Sequence, residues 1–455
     1  MNRSLSSVIP LVAARASACP GLLNIVPTRD GGLCRIRLPG GVLRAPQAHA
    51  LARAAARCAS GVIEATNRAN LQIRGVRVGA EDDLIDALLA AGLGPADGAG
   101  SLDARDGVRN VMLSPLAGRD AQAVLDMRPL AAQLLAVLQH TPEFAALSPK
   151  FCVLLDGGEA LVARDHPHDI WLAAVTDQAR GTQLAVGLAG CPADLDHGAQ
   201  PVAVVAPQYA LELVAALLHS FLKLAQPGQH RMRDVLADHG VATLIQQAQQ
   251  RCNFALDARP DPAHGLRKPS ATHLRMGIHA QAHTPDAPAL YYLGAQWPLG
   301  RISAAGLQQL ADASDGVLHF TPWQGVLAPD LTAARAQQLQ TQWQALGLLT
   351  DAANPLAQLI ACAGSSGCNR ALADVKADAL RLAGLLDVPR AVHLSGCVRS
   401  CAAAHCAPWT LLALAPDQYD LYQYNGAAGF GAPLATSITL AQAAQMLNAQ
   451  PINPD

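Results

Sequence analysis

The chain has 455 residues; 51% are hydrophobic and 15% charged, and the formal net charge is −2. That length supports two or three domains with large buried cores. The near-neutral balance excludes a global field that would steer the protein to nucleic acid or to an anionic membrane, so any basic site must be local.

In chain order, Met1 to Ala18 carries an early Arg and a short apolar run, Val8 to Ala14, too short and broken for a secretory signal. Leu33 to Leu38 reads as a strand, Pro46 to Cys58 as an Ala/Leu-faced helix, Gly61 to Thr66 and Leu71 to Arg74 as strands, and Asp82 to Ala91 as a helix closed by Gly92. This β-α-β-β-α rhythm is the ferredoxin-like split βαβ plan. Leu211 to Ala225 is the most apolar internal stretch, but Glu212, His219 and Lys223 make it a core helix rather than a membrane span. The first rhythm then returns, with a strand at Leu290 to Trp297, a helix at Ala304 to Ala313, a strand at Gly316 to Thr321 and a helix at Leu331 to Leu346. Gly61 and Gly316, Thr66 and Thr321, and Gly92 and Gly347 share one offset of 255, which argues for an internal duplication. Near the C-terminus Arg370 to Leu386 reads as a helix, Ala391 to Leu394 as a strand, and Trp409 to Leu414 with Tyr419 to Tyr424 as a hairpin.

The expected class is α+β. Residues 1–100 and 286–349 form two ferredoxin-like half-domains, 101–225 a mixed α/β domain, 226–285 a linker or irregular segment rich in Pro, His, Gln and Arg, and 350–455 a cluster domain.

Eleven cysteines are present. Cys362 and Cys368, then Cys397 and Cys401 after 28 residues, give C-x5-C…C-x3-C. Four thiolates on two loops can hold the corners of an iron–sulfur cube. Structural zinc prefers shorter knuckles, and a small ferredoxin packs its ligands into one tight run. Zinc or a purely structural use of these cysteines remains the alternative. The other seven are scattered without a disulfide framework, which suits a reducing cytoplasm. No dinucleotide or P-loop glycine motif follows a predicted strand, so electrons are expected from a separate protein.

Duplicated halves and C-x5-C…C-x3-C resemble the sulfite and nitrite reductase superfamily. Within it, Ser17-Ala-Cys-Pro-Gly-Leu22, Arg37-Leu-Pro-Gly-Gly41, Thr66-Asn-Arg-Ala-Asn-Leu-Gln-Ile-Arg-Gly75, Arg109-Asn-Val-Met-Leu-Ser-Pro-Leu-Ala-Gly118, Pro149-Lys-Phe151, Asp156-Gly-Gly158 and His393-Leu-Ser-Gly-Cys397 are similar to the precorrin-3B synthases of aerobic cobalamin biosynthesis. The resemblance implies a 4Fe-4S cluster on Cys362, Cys368, Cys397 and Cys401, with Cys401 at the bridging position that in the reductases reaches a sirohaem iron. It implies precorrin-3A and O2 as substrates, hydroxylation with lactone formation, a second non-haem iron, and an external reductase or ferredoxin as electron donor. No 2-His-1-carboxylate spacing names ligands for that second iron, and no catalytic residue is named.

A precorrin is a polyanion, and guanidinium forks suit its carboxylate arms. The first half supplies Arg35, Arg37, Arg44, Arg68, Arg74, Arg77 and Arg109, followed by Lys150. The resemblance selects Arg37, Arg68, Arg109 and Lys150 as tetrapyrrole-binding residues. Arg35 and Arg37, two apart on a strand, are expected to face one side. The second copy places Trp323 where the first has Arg68. Cys152 stands where sulfite reductases carry a second Lys, which weakens the case for a small oxyanion. His393, and His405 with Cys406 just beyond Cys401, are expected to pack; the alternative for the latter two is contact with a second iron or the substrate. Two further functions stay open: a sirohaem-dependent sulfite or nitrite reductase, and a non-catalytic tetrapyrrole-binding electron-transfer protein.

Overall fold

The computed structural model describes residues 19–192, 200–257, 270–282, 288–314, 316–403, 407–425 and 429–451. His405 and Cys406 lie outside them. Four five-stranded sheets organise the α+β chain.

The first sheet runs Val26–Thr28, Gly31–Ile36, Leu71–Val76, Val62–Ala65 and Arg301–Ser303, antiparallel throughout. The second runs Gly277–Ala280, Tyr291–Gln296, Gly325–Leu331, Val317–Phe320 and Val42–Arg44, again antiparallel. The two plans match strand for strand. Each half sends a three-residue strand into the other's sheet, pairing Ile302 with Ile63 and Leu43 with Leu318. The helices that follow these exchanged strands, Ala45–Cys58 and Ala304–Ala313, pack together in a shared core. Ala48, Leu51, Ala52 and Ala55 of the first and Leu307, Leu310 and Ala311 of the second are buried in that core. Ser303 caps the second helix by accepting from Gly306 N at 3.0 Å. The duplicated glycines all adopt positive φ: Gly61 78°, Gly316 114°, Gly92 68° and Gly347 85°.

The third sheet is Val111–Leu113, Val153–Asp156, Ile170–Asp177, Gly181–Leu188 and Ala203–Val205; its first two pairings are parallel and its last two antiparallel. The fourth is Leu359–Ala361, Val392–Ser395, Trp409–Ala415, Gln418–Gln423 and Ala432–Ile438, with the same sequence of pairings. The molecule is thus repeated in its α/β sheets as well as in its half-domains. In corresponding places the third sheet carries Asp156-Gly157-Gly158 and the fourth Ser395-Gly396-Cys397.

Three expectations are corrected. Within 226–285, Met232–Gln249 is a helix, broken at Gly240 (φ 73°), that packs on Ala210–Leu224, and Gly277–Ala280 is an edge strand of the second sheet. Leu331 ends a strand; the following helix is Ala333–Ala345, capped by Thr332. Of Arg370 to Leu386, Val375–Ala383 is helical. Among the described residues no helix is long and apolar enough to cross a membrane.

Candidate active site

Two cysteine loops leave the carboxyl ends of adjacent parallel strands, the usual ligand edge of such a sheet. Cys362 follows Leu359–Ala361, whose Ala361 pairs with Leu394; Cys397 follows Val392–Ser395 after one glycine. Gly396 N donates to Cys362 Sγ at 3.3 Å, and a Cβ there would meet that of Ala371 at 2.6 Å, so only glycine fits. Leu372 N donates to Gly396 O at 2.9 Å and ties the loops together. Gly364 turns the first loop at φ 69°, and a one-turn helix, Gly364–Gly367, delivers Cys368.

The first half-domain holds these loops from the other side. Arg74 donates to Gly367 O at 2.6 Å while paired with Asp30 at 2.8 Å; Arg29 donates to Ser365 O at 2.7 Å; and Asn67 donates to Cys401 O at 3.2 Å. Cys362, Cys368, Cys397 and Cys401 all line one cavity of about 820 Å³. Burial raises the thiols of Cys362 and Cys401. The charges of Cys362, Cys397 and Cys368 then add to the rise at Cys401. Among the described residues no three His, Cys, Asp or Glu side chains stand close enough to share a single metal ion. Four thiols on one cavity wall are a donor set that fits a multi-iron cluster.

The same cavity is strongly basic. Its lining includes six arginines (Arg35, Arg68, Arg74, Arg231, Arg233, Arg399) and two lysines (Lys150, Lys376), against Glu64 as the one carboxylate side chain among the described lining residues. Glu64 is already met by Arg301 at 2.7 Å, Arg74 at 3.6 Å and Lys376 at 3.8 Å. Arg35 is pushed down to about 10 by burial and then by the charges of Arg37 and Arg68. Cations crowded in this way attract an anion.

Of the residues expected to bind tetrapyrrole, Arg68 and Lys150 line the cavity. Arg37 and Arg109 do not. The strand ends at Ile36, so Arg37 departs from the face of Arg35 and enters a buried ion pair with Asp106 at 2.5 Å. Arg109 meets the other oxygen of Asp106 at 3.1 Å and donates to Leu93 O and Arg37 O. This trio joins the half-domain to the α/β unit behind the cavity wall. Cys152 is also withdrawn, 1% exposed among Met112, Leu154 and Trp171, its Sγ 3.6 Å from His168 Nδ1. His393 is buried and reaches the cavity wall.

Sequence reasoning missed Arg231, Arg233, Lys376 and Arg399. Arg399 lies inside the C-x3-C run and was visible there. Arg231 and Arg233 come from the segment expected to be irregular, where buried Asp169 fixes Arg231 at 2.9 Å and accepts from Met232 N at 2.8 Å.

The family described as the nitrite/sulfite reductase ferredoxin-like half domain matches residues 26–91 and 284–346, and the nitrite and sulphite reductase 4Fe-4S domain matches 104–256. The latter match covers the third sheet rather than the four cysteines. A precorrin-3B synthase of Sinorhizobium sp is 30% identical over 429 residues, 93% of this chain and 86% of that protein. A chloroplastic ferredoxin–nitrite reductase of Zea mays is 28% identical over 396 residues, 82% of this chain and 68% of its own. The structure of Mycobacterium tuberculosis NirA superposes with a TM-score of 0.74 at 21% identity, covering 92% of this chain and 79% of NirA, which shows the same fold. The chain belongs to the nitrite and sulfite reductase superfamily of oxidoreductases.

Proposed function

We propose that the cavity receives a polycarboxylate tetrapyrrole above a 4Fe-4S cluster held by Cys362, Cys368, Cys397 and Cys401, and that the chain acts as a precorrin-3B synthase. On this reading it hydroxylates precorrin-3A with O2 and closes a lactone. The observation that carries it is that four cysteines and a set of cations share one cavity in which the described carboxylate is already neutralised. Its volume of about 820 Å³ lies within the roughly 300–1,000 Å³ of small-molecule sites. Arg35, Arg68, Lys150 and Arg399 bind carboxylate arms, and Asn67 holds the Cys401 backbone. When bound, the cluster supplies single-electron transfer. An external reductase or ferredoxin delivers the electrons, since nucleotide motifs do not follow the strands. Cys34, Cys58, Cys152, Cys252, Cys362, Cys368, Cys397 and Cys401 are free thiols, which suits a cytoplasmic setting.

Two observations favour this branch over reduction of a small oxyanion. The relative at 30% identity is a precorrin-3B synthase. Cys152, at the place of a second lysine, is buried and is not among the cavity's lining residues. The similarity to plant nitrite reductases supports a second reading, a sirohaem-dependent nitrite or sulfite reductase.

Anaerobic purification with iron, sulfide and tetrapyrrole analysis, followed by precorrin-3A with and without O2, separates the readings. Cluster iron and sulfide with an O2-dependent oxidised product is the expected result. Tightly bound sirohaem with six-electron reduction of nitrite or sulfite would establish the reductase instead. Binding of precorrin-3A without product would leave a carrier. A second non-haem iron would register as iron in excess of the cluster's.

A further inference from the structure

Lys376 is buried on the helix Val375–Ala383 with Val375, Ala379 and Leu382, while the helix's other buried charge, Asp378, is taken up by Arg381 at 2.9 Å and by the Tyr419 hydroxyl. Lys376 is 7% exposed. Its Nζ donates to Leu299 O at 2.6 Å and to Ala361 O at 3.3 Å, and stands 3.8 Å from Glu64 Oε1. Two backbone carbonyls accept from the ammonium, and Glu64 faces it as an ion-pair partner beyond hydrogen-bond distance. Ala361 immediately precedes Cys362, so this charge sits one peptide from a proposed cluster ligand. Around it, Arg74, Arg301 and Lys376 face two carboxylates, Glu64 and Asp30. Three positive charges against two negative ones leave an uncompensated positive charge beneath the cysteine loops. A buried ammonium is costly unless an anion balances it, and a cluster on four thiolates is such an anion.

We propose that Lys376 is a positioning charge that sets the reduction potential of the cluster from behind Cys362. The inference rests on the cluster assignment above. A fixed positive charge in a low-dielectric site favours the more negative, reduced cluster, and Glu64 opposes it.

The test is a dithionite titration of the full-length holoprotein with mediators, following the EPR signal of the reduced cluster, for wild type, Lys376→Met, Lys376→Arg and Glu64→Gln. Lys376→Met is expected to lower the reduced-to-oxidised ratio at a given potential about tenfold, equivalent to ~59 mV for one electron. Glu64→Gln is expected to move it the opposite way, and Lys376→Arg to stay near wild type. A purely packing role would lower thermal stability without this reversal of sign. If Lys376→Met loses its iron, the upward shift in Glu64→Gln still supports the proposal, and an unmoved or lowered potential there overturns it. Wild type without iron and sulfide sinks the cluster assignment and this inference together. A wild-type cluster whose potential is unchanged by every substitution sinks this inference alone.

Discussion

The N–H of Ala304 donates to the carbonyl of Gly61 at 2.8 Å, joining the first turn of one half-domain's helix to the turn that opens the other's strand. The reciprocal bond runs from Ala45 N to Gly316 O at 2.9 Å. Each glycine that presents its carbonyl to the other half has a positive φ, a conformation glycine adopts without steric cost. A Cβ on Gly61 would meet nothing closer than Ala304 Cβ at 4.0 Å, so Gly61→Ala adds backbone strain without a clash. The expected loss is about 1–2 kcal/mol in urea unfolding. An unchanged midpoint would mean that the exchanged strands tolerate another turn.

Arg68 and Trp323 occupy the same turn in the two copies. Thr66 Oγ1 accepts from Asn70 N at 3.1 Å, and Thr321 Oγ1 accepts from Gly325 N at 3.0 Å; the residues after Arg68 and Trp323 both have positive φ. The contents of the turns differ. Arg68 faces the basic cavity. Trp323 fills the corresponding space with Leu116, Leu161, Tyr292 and Leu327, lies under Arg275 at 4.0 Å, and donates to Asp165 at 3.3 Å. Trp323→Ala should therefore lower stability by about 3–5 kcal/mol and leave cluster iron unchanged. Arg68→Ala should leave the melting temperature near wild type and weaken precorrin-3A binding about tenfold, as expected for one lost charge-assisted contact. Equal affinity in anaerobic absorbance titrations would remove Arg68 from the site.

Local pattern made much of this fold legible. Ala304–Ala313 is bounded as its periodicity predicts, and the hairpin across Ala415 to Gln418 forms. What escaped was long-range. The exchanged strands Val42–Arg44 and Arg301–Ser303 are three residues each, too short to carry an alternation, and exist through partners in the other copy. Met232–Gln249 was hidden because Gly240 interrupts its helical period. The site divided in the same way. Cysteine spacing brought four ligand candidates to one cavity. The guanidinium roles depended on where Asp106 lies, and a carboxylate almost seventy positions from Arg37 leaves no mark on the local pattern.

Cys362→Ser and Cys401→Ser test the donor set from opposite loops. Cys362 is fixed by Gly396 N, and Cys401 by the grip of Asn67 on its carbonyl. Either substitution should bleach the visible chromophore and lower bound iron and sulfide. Destabilisation should concentrate in the fourth sheet, whose two ligand loops would lose their common centre. Hydrogen exchange resolved by peptide should show increased exchange in 359–403, while the third sheet stays protected. A full complement of iron and sulfide in either variant would exclude that cysteine as a ligand.

Where the fourth sheet has its second cysteine loop, the third has Asp156, Gly157, Gly158 and Glu159. Asp156 is neutralised by Arg164 at 2.7 Å. Glu159 is buried; its Oε2 accepts from Gly157 N at 2.8 Å, while its Oε1 has no hydrogen-bond partner among the described residues. Burial, then the charge of Asp156, raises its carboxyl to about 8 from 4.5. The folded state therefore holds this proton more tightly than the unfolded chain. The resulting stabilisation is complete below about pH 4.5 and is lost as pH rises through about 8. Glu159→Gln keeps the shape and removes the titration. It should exceed wild type by a margin that grows between pH 6 and pH 9 by on the order of 1–3 kcal/mol, from about 1.4 kcal/mol per pKa unit. Urea unfolding at the two pH values reads the difference directly. Parallel wild-type and variant stabilities from pH 6 to 9 would show that Glu159 already ionises freely in the folded protein.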